Sequence, residues 1–234
     1  MKNPLHDWHS PIVSTYQNTI RQKIIGYDLM YNMMTDILRG HPVIDNTLVV
    51  GAGGGQELLT LGEAFPSSHF TAVDTSTIMR QAADQRIQQL DHDLHIDWYE
   101  DDVLSLRFHH PYDVTTCHLV LHFIKDLEQK RALLQKLATS LQNGGVLFIS
   151  SINADMTDTI CQQQLKYWRN SMYQNDISEE DWLRFEQSFG STIYPIKLEL
   201  LIDLLHEVGF TKIVPYFKSY LVDALVATKE EVNK

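Results

Sequence analysis

A glycine-rich turn between an apolar run and a helical segment constrains this sequence more than any other feature. The run 47–50 is apolar, residues 51–55 are Gly-Ala-Gly-Gly-Gly, and residues 57–65 have helical spacing. Glycines let a backbone turn tightly and approach a ligand closely, and a helix N-terminus offers free N–H groups to a negative group. Asp74 ends the next apolar run, 23 residues after Gly51, which is close to the spacing expected of a carboxylate that binds a ribose diol. The turn therefore predicts a nucleotide-type site at the end of a first strand.

The spacing of the glycines leaves the ligand open. A dinucleotide site would have the pattern G-x-G-x-x-G, but Gln56 stands where the third glycine belongs, and Gly51, Gly53 and Gly55 form G-x-G-x-G instead. This difference in glycine spacing is by itself weak evidence against a dinucleotide site. The turn could also be a structural feature that binds no ligand. The position of the turn after a strand, together with Asp74, favours a ligand.

Apolar runs and helical patterns alternate along the chain. Five strands are predicted at 47–50, 69–73, 95–99, 112–118 and 146–150, with helices at 57–65, 76–90 and 127–141. Strands that alternate with helices pair in parallel through right-handed crossovers, so the pattern predicts a doubly wound α/β sheet. A helix is predicted at 195–208. The strand-like runs 211–217 and 220–227 are only a few residues apart and predict a hairpin.

These patterns divide the chain into three units. An apolar stripe at helical spacing from about 14 to 38, interrupted at Gly26, predicts an N-terminal helical cap over residues 1–42. The alternating segments make up a core of residues 43–152 and 192–234. Residues 153–191 hold aromatic side chains among Gln, Asn and acidic residues, and they predict a helical insertion or lid.

Charge and cysteine content argue against several classes of protein. The 234 residues include 30 acidic and 19 basic side chains, and the net charge of −11 argues against broad electrostatic capture of nucleic acid. Cys117 and Cys161 are too few for a disulfide framework or a cysteine zinc site, and His109-His110 has no third ligand at metal-binding spacing. No apolar run reaches the roughly 18 residues of a membrane span, and the first residues lack an apolar signal core. We therefore expect a soluble, reduced, cytoplasmic protein without a metal site.

Six short segments occur in an informative order. They are residues 50–55, 72–76, 100–103, 112–123, 141–147 and 207–210. Together they resemble the motifs of the class I S-adenosylmethionine-dependent methyltransferases. The resemblance implies a seven-stranded Rossmann-like sheet with an antiparallel last strand, S-adenosyl-L-methionine as cofactor and S-adenosyl-L-homocysteine as product. The sequence departs from the family at Val49, where an acid often contacts the cofactor's amino group through water.

The resemblance also implies the residues of a cofactor site. The methionine part would be wrapped by the loop, the ribose bound after the second strand, and the adenine met by a carboxylate and the next backbone N–H. In that order the implied residues are Gly51, Ala52, Gly53 and Gly55, then Asp74 and Thr75, then Met79, Asp102 and Val103.

The N-terminal segment is similar to a subgroup of the family typified by the bacterial carboxy-S-adenosylmethionine synthase of wobble-uridine modification. That subgroup carries an arginine and then a Gly-Tyr pair on its cap helices, and here Arg21 and Gly26-Tyr27 match the pattern. The resemblance allows Tyr16, Arg21 and Tyr27 to reach the methionine carboxylate. Cap packing and solvated charge are equally good interpretations of these three residues.

The synthase recognises its extra carboxylate with a basic residue in the insertion. The matching position here is Glu186, which favours ordinary methyl transfer, although a small shift of alignment would bring Arg184 to that position. The acidic residues of the insertion favour a small neutral or cationic acceptor over RNA.

Candidate catalytic residues follow from the chemistry. Methyl transfer is an in-line displacement, and a base is needed only if the acceptor must lose a proton. His118 and His122 lie where the fourth strand opens towards the cofactor, so either is a candidate base or acceptor-positioning group, with a structural contact as the competing interpretation. A further set of aromatic residues would either line an acceptor pocket under the lid or belong to the core, namely Trp168, Tyr173, Trp182 and Phe185.

The favoured prediction is thus a cytoplasmic methyltransferase that acts on a small molecule as a monomer or homodimer. The alternatives are a tRNA-modifying methyltransferase, a carboxy-S-adenosylmethionine-type enzyme and a non-catalytic S-adenosylmethionine-binding regulator. A nicotinamide oxidoreductase is disfavoured by Gln56 and by the predicted antiparallel ending.

Overall fold

The described part of the chain contains a central sheet with helices on both faces. The computed structural model describes residues 16–41 and 44–230. The helices are α1 Tyr16–Lys23, α2 Tyr27–Leu38, α3 Gln56–Ala64, α4 Thr77–Ile87, α5 Leu127–Ser140, α6 Thr159–Gln174, α7 Glu179–Ser188 and α8 Leu198–Glu207. The strands are β1 Asn46–Val50, β2 His69–Val73, β3 His95–Tyr99, β4 Tyr112–His118, β5 Leu141–Ile152, β6 Phe210–Ser219 and β7 Val222–Lys229.

The seven strands form one mixed sheet in the order β3-β2-β1-β4-β5-β7-β6. The first five strands in this order are parallel, whereas β7 runs antiparallel to both of its neighbours. The predicted doubly wound sheet with an antiparallel last strand is confirmed. The strand order reverses between β1 and β4, and ligands of open α/β sheets bind at the carboxyl ends of strands beside such a reversal.

Two apolar layers hold the helices against the sheet. On one face, α2 and α3 pack with the aromatic side chains of α6 and α7. On the other face, α5 and α8 bury their leucines. The central strand β4 is buried along most of its length, as expected for a parallel strand covered on both faces.

Local signals explain where the helices near the cavity begin. Gly55 precedes α3 with φ 78°, a left-handed conformation that glycine adopts without strain. The Ser76 hydroxyl accepts a hydrogen bond from the Met79 N–H and so caps α4. Asp126 caps α5 through the N–H groups of the first turn.

The N-terminal segment forms two helices because Gly26, with φ 78°, interrupts it. Residues 1–15 and residue 42 of the predicted cap lie outside the described residues. The segment 153–191 contains α6 and α7. Helix α6 contacts the N-terminal helices through Trp168, whose Nε1 donates a 2.6 Å hydrogen bond to the Lys23 carbonyl.

Strand β5 begins earlier than the sequence pattern predicts. The predicted strand covered 146–150, but the observed strand begins at Leu141, which pairs with Tyr112 of β4. A register shift between Tyr112 and Val114 accommodates Gly144 and Gly145 in this stretch. No helix in the described residues is long and apolar enough to cross a membrane.

Candidate functional site

A cavity of about 460 Å³ opens at the carboxyl ends of the central strands, beside the reversal of strand order. Its walls come from the ends of β1, β2 and β4, the loops that follow β1 to β4, the helices α4 and α5, and the first residue of α1. The lining residues are Tyr16, Val50, Gly51, Gly53, Val73, Asp74, Thr75, Met79, Asp101, Asp102, Val103, Leu104, His118, Leu119, Val120, Phe123, Ile124, Gln129 and Leu133. Most of them are apolar, as is typical of ligand pockets.

The glycine loop brings bare backbone to the cavity wall. Gly51 has φ 71°, and a Cβ at this position would lie 2.2 Å from Cγ2 of Val120. Gly53 has φ 49°, and its Cβ would lie 3.1 Å from the terminal methyl of Met79. The positive φ values therefore favour glycine at both positions, and at Gly51 the contact with Val120 also leaves no space for a Cβ.

Asp74 connects the glycine loop to α4 at the rim of the cavity. One carboxylate oxygen accepts a 2.7 Å hydrogen bond from the Gly53 N–H, and the other accepts a 2.8 Å hydrogen bond from the Ser76 N–H. These two hydrogen bonds fix the direction of the carboxylate, whose oxygens accept hydrogen bonds from hydroxyl groups. This fixed geometry suits recognition of two neighbouring hydroxyl groups.

The loop after β3 forms the far end of the cavity. Asp101, Asp102, Val103 and Leu104 line it, and the Asp102 carboxylate accepts a 2.9 Å hydrogen bond from the Leu104 N–H. Val103 and Met79 are buried. The arrangement offers an apolar slot with acidic groups at its edge, which suits a flat polar ring.

His118 lies at the opposite end of the cavity, where β4 ends. Its Nδ1 lies 3.0 Å from the Ser150 hydroxyl oxygen, and its ring contacts that of Tyr31 edge-on at 5.1 Å. Nε2 is buried without a hydrogen-bond partner in the described residues. Burial lowers the pKa of His118 to about 3, so the imidazole is neutral at physiological pH and is a weak proton acceptor.

Leu119 follows His118 with φ 58°, which is a strained conformation for a leucine. Its N–H donates to the Ser150 carbonyl at 2.8 Å and also lies 3.2 Å from the Ser150 hydroxyl oxygen. These contacts hold the strained residue in the cavity wall. Strain of this kind is concentrated at functional sites.

His122 lies outside the cavity lining. It is buried on the short 3-10 turn Leu121–Phe123, and its Nδ1 accepts a 3.2 Å hydrogen bond from the Ile152 N–H. The turn directs this ring towards the end of β5 instead of the cavity. The sequence could not predict this orientation because it depends on a turn that follows the strand.

The predicted cap residues separate into two groups. Tyr16 lines the cavity, whereas Arg21 and Tyr27 do not. The Arg21 guanidinium bonds to the side chains of Asp28 and Gln56, and its charge lies 5.2 Å from the centre of the Tyr27 ring. Tyr27 is buried against the neighbouring tyrosine of α2.

Two residues of the predicted loop set lie behind the wall. Ala52 is buried in the core and does not line the cavity. Gly55 contacts α4 so closely that a Cβ there would lie 2.9 Å from Cβ of Ala83. Ala52 and Gly55 therefore support the loop, whereas Gly51, Gly53, Asp74, Thr75, Met79, Asp102, Val103, His118 and Tyr16 lie together at the cavity.

The insertion contributes no residue to this cavity within the described part of the chain. Trp168 and Trp182 are buried against Phe185, with ring centres 5.1 and 5.7 Å away, so these aromatic residues form core. Arg184 bonds to Asp181 at 2.8 Å on the exposed side of α7.

Glu57 is a buried acid in the first turn of α3, where the sequence pattern predicted only the beginning of a helix. Its side chain is 3% exposed, and burial raises its pKa to about 8. The sequence signal that could have identified Glu57 as a site residue is its position, two residues after the last glycine of the loop. Its burial could not be seen because the cap helices that cover it lie far away in sequence.

Comparison with known proteins gives consistent results. Residues 48–147 match the family model described as a methyltransferase domain. The carboxy-S-adenosyl-L-methionine synthase of Helicobacter hepaticus is 22% identical over 229 residues, covering 95% of this chain and 94% of that protein. The synthase of Pseudomonas entomophila is 31% identical over 163 residues, covering 67% of this chain and 64% of that protein.

Solved structures share the whole fold. The magnesium protoporphyrin IX methyltransferase of Synechocystis PCC 6803, solved with bound S-adenosyl-L-homocysteine, superposes with a TM-score of 0.69 at 17% identity. The match covers 95% of this chain and 96% of that one. The strand order, the matched domain and these relatives show that the chain belongs to the class I S-adenosylmethionine-dependent methyltransferase family, with carboxy-S-adenosyl-L-methionine synthases among its relatives.

Proposed function

We propose that this protein transfers a methyl group from S-adenosyl-L-methionine to a small-molecule acceptor. The cavity beside the strand reversal carries the proposal, since Gly51 and Gly53 line it with bare backbone and Asp74 stands at its rim. The bare backbone of the glycine loop fits the amino-acid tail of the cofactor. The Asp74 carboxylate, fixed by two N–H groups, fits the ribose, and the apolar slot fits the adenine.

Each end of the cavity has its own part in the proposal. Bound S-adenosyl-L-methionine would supply an electrophilic methyl group on a sulfonium ion. Asp74 would bind the ribose hydroxyls, and Met79 and Val103 would exclude water from the adenine. Tyr16 and His118 would then border the acceptor, since they line the end of the cavity away from the adenine slot. Holding donor and acceptor in line is the main contribution of a protein to such a displacement.

A small acceptor is supported by the size and charge of the site. A volume of about 460 Å³ is within the usual range for small-molecule pockets. The net charge of −11 and the acidic face of α7 oppose approach of a polyanion such as RNA. We place the enzyme in the cytoplasm, acting as a monomer or homodimer.

A carboxy-S-adenosylmethionine-type activity is the second candidate, and the named relatives favour it. That chemistry would require a cation to recognise an extra carboxylate. Among the described lining residues none is lysine or arginine, Arg184 is engaged with Asp181, and Glu186 is exposed on α7. Ordinary methyl transfer is therefore the better supported proposal.

Thermal unfolding with candidate ligands tests the cofactor assignment. We expect S-adenosyl-L-methionine and S-adenosyl-L-homocysteine to raise the melting temperature and NAD to leave it unchanged, because a ligand stabilises only the state that binds it. At a ligand concentration 100 times Kd, the stabilisation is about 2.7 kcal/mol. A shift with NAD and none with S-adenosyl-L-homocysteine would overturn the proposal.

The substitution Asp74→Asn links that shift to the cavity. Asparagine keeps one acceptor oxygen for the loop but loses the charge, so we expect the shift caused by S-adenosyl-L-homocysteine to fall to less than half. Asp93→Asn removes an exposed charge in the loop between α4 and β3 and is the matched control. An unchanged shift in Asp74→Asn would remove Asp74 from the site. Methyl transfer to candidate acceptors then separates an enzyme from a non-catalytic regulator.

A further inference from the structure

The acidic groups of the cavity are all at one end. Asp74, Asp101 and Asp102 follow β2 and β3. The opposite end, after β1 and β4, is formed by Tyr16, Gly51 and His118. A ligand whose ribose binds Asp74 and whose base lies at the β3 end must extend its amino-acid tail towards this second end. No carboxylate lines the second end within the described residues.

A positive charge on the ligand's tail, at the end of the cavity formed by Tyr16, Gly51 and His118, has no negatively charged side chain beside it in the wall. The side chains there are neutral, including His118, whose pKa is lowered by burial. Burying an unpaired charge carries a large free-energy cost. The cofactor's tail ends in an α-ammonium group beside its own carboxylate, and an acid of the protein near that end would supply the ammonium group with a further counter-charge.

Glu57 is the acid closest to these requirements. It belongs to the first turn of α3, immediately after the glycine loop, and is 3% exposed. Electrostatic interactions link it to groups on every element packed around it. They are Tyr16 of α1, Tyr27 and Tyr31 of α2, Asp74 after β2, Arg86 of α4, Cys117 of β4 and Tyr216 of β6. Two of these, Tyr16 and Asp74, line the cavity.

Glu57 has no cation of its own. In the described part of the chain no basic side chain lies within ion-pair distance of its carboxylate. The nearby Arg86 guanidinium is held by the Gly54 carbonyl at 2.5 Å and by the Gln56 side chain at 2.7 Å. Burial therefore dominates, and it raises the pKa of Glu57 to about 8. At pH 7 this carboxyl group holds its proton about nine times in ten.

Three polar groups elsewhere in the same layer lack a hydrogen-bond partner in the described residues. The Thr116 hydroxyl, Nε2 of His118 and the Tyr216 hydroxyl are buried without partners in the described residues. Thr116 and His118 are two residues apart on β4, and so point to the same face of the sheet. Buried polar atoms are rarely left unpaired in a complete complex. The layer behind the loop is therefore prepared for a polar ligand group.

We propose that Glu57 is the counter-ion of the cofactor's α-ammonium group and that it releases its proton to solvent when the cofactor binds. The proposal rests on the proposed function, because it requires a cofactor in this cavity. An ammonium group nearby favours the carboxylate over the carboxylic acid. Glu57 is then a positioning residue for the tail that does not itself line the cavity and that acts through its charge.

Calorimetry in buffers of different ionisation enthalpy measures the released proton. We expect binding of S-adenosyl-L-homocysteine at pH 7 to release about 0.9 proton more from the wild type than from Glu57→Gln. Any proton lost by the ligand is common to both proteins and cancels. Glu63→Gln removes an exposed acid from the same helix and should behave as the wild type.

A second ligand distinguishes the effect of the amino-acid tail from the effect of the nucleoside. 5′-Methylthioadenosine has the same nucleoside but no amino-acid tail, so its binding should release no proton and should be insensitive to Glu57→Gln. For S-adenosyl-L-homocysteine we expect Kd in the wild type to fall about tenfold from pH 6 to pH 7, and this dependence to be lost in Glu57→Gln. The pH series on the wild type is informative even if the variant folds poorly.

Three outcomes decide the matter. Equal proton release and equal Kd in the wild type and Glu57→Gln would overturn the role of Glu57. A pH dependence shared with 5′-methylthioadenosine would also overturn it, since that ligand has no ammonium group. If the wild type binds neither ligand, the proposed function itself fails, and this result is distinct from the other two.

Discussion

His118 shows how the surroundings of one side chain set its chemistry. The Ser150 hydroxyl oxygen lies 3.0 Å from Nδ1 of His118 and also accepts a hydrogen bond from the Leu119 N–H. Burial in this wall lowers the pKa of His118 to about 3. The ring is therefore neutral at physiological pH and is too weakly basic to act as a general base there. The sequence identified the position, and only the surroundings assign the protonation state.

Proton NMR of the histidine rings tests this assignment. We expect the ring resonance of His118 to stay constant from pH 5 to pH 8, since a group with a pKa of about 3 does not titrate there. The variant His118→Gln identifies the resonance by its loss. A midpoint near pH 6.5 for His118 would contradict the assignment.

At the scale of elements, the glycine loop depends on both its conformation and its neighbours. Gly51 combines a positive φ with a close approach to Val120, a residue of the turn after β4. A side chain at this position would strain the backbone and would push Val120 into the cavity. The loop and the end of β4 therefore act together as one wall.

The variant Gly51→Ala should lose cofactor binding. We expect affinity for S-adenosyl-L-homocysteine to fall at least about 100-fold, or about 2.7 kcal/mol, because the added Cβ would lie 2.2 Å from Val120. Gly190→Ala is the matched control, since its φ is 79° but no atom lies within 4 Å of the added Cβ. This control should lose about 1–2 kcal/mol of stability and no affinity. Equal losses of affinity would show that backbone strain, not the contact, matters.

At the scale of the whole molecule, two buried groups give opposite pH dependences. Folding raises the pKa of Glu57 from 4.5 to about 8, so the folded state binds more protons in that range and the free energy of unfolding falls as pH rises. Folding lowers the pKa of His118 from 6.5 to about 3, so the free energy of unfolding rises with pH across that range. The two effects oppose each other between pH 4.5 and 6.5, and only Glu57 acts from pH 6.5 to 8.

Urea unfolding at pH 6.5 and pH 8 isolates the effect of Glu57. We expect the wild type to lose up to about 1.4 kcal/mol per pH unit relative to Glu57→Gln over this interval. Glu63→Gln should retain the slope of the wild type, because its side chain is exposed. Parallel curves for the wild type and Glu57→Gln would show that Glu57 is already ionised in the folded protein.

Residue patterns close together in the sequence determined the architecture. The sequence predicted the alternation of strands and helices, the antiparallel ending, and the glycine loop with its partner Asp74. These features were predictable because periodicity and glycine conformations are local properties. Strand boundaries were less predictable. Strand β5 starts at Leu141 through pairing with Tyr112 of β4, and the glycines at 144 and 145 had obscured this extension.

Only the tertiary structure decided which side chains reach the cavity. Tyr16 and His118 line it, His122 and Tyr27 do not, and Glu57 becomes a buried acid beneath the cap. These outcomes depend on contacts between distant parts of the chain, such as the hydrogen bond from Trp168 to Lys23 across 145 residues. Burial and pKa arise from such packing, so the sequence determined the site's location and the folded structure determined its chemistry.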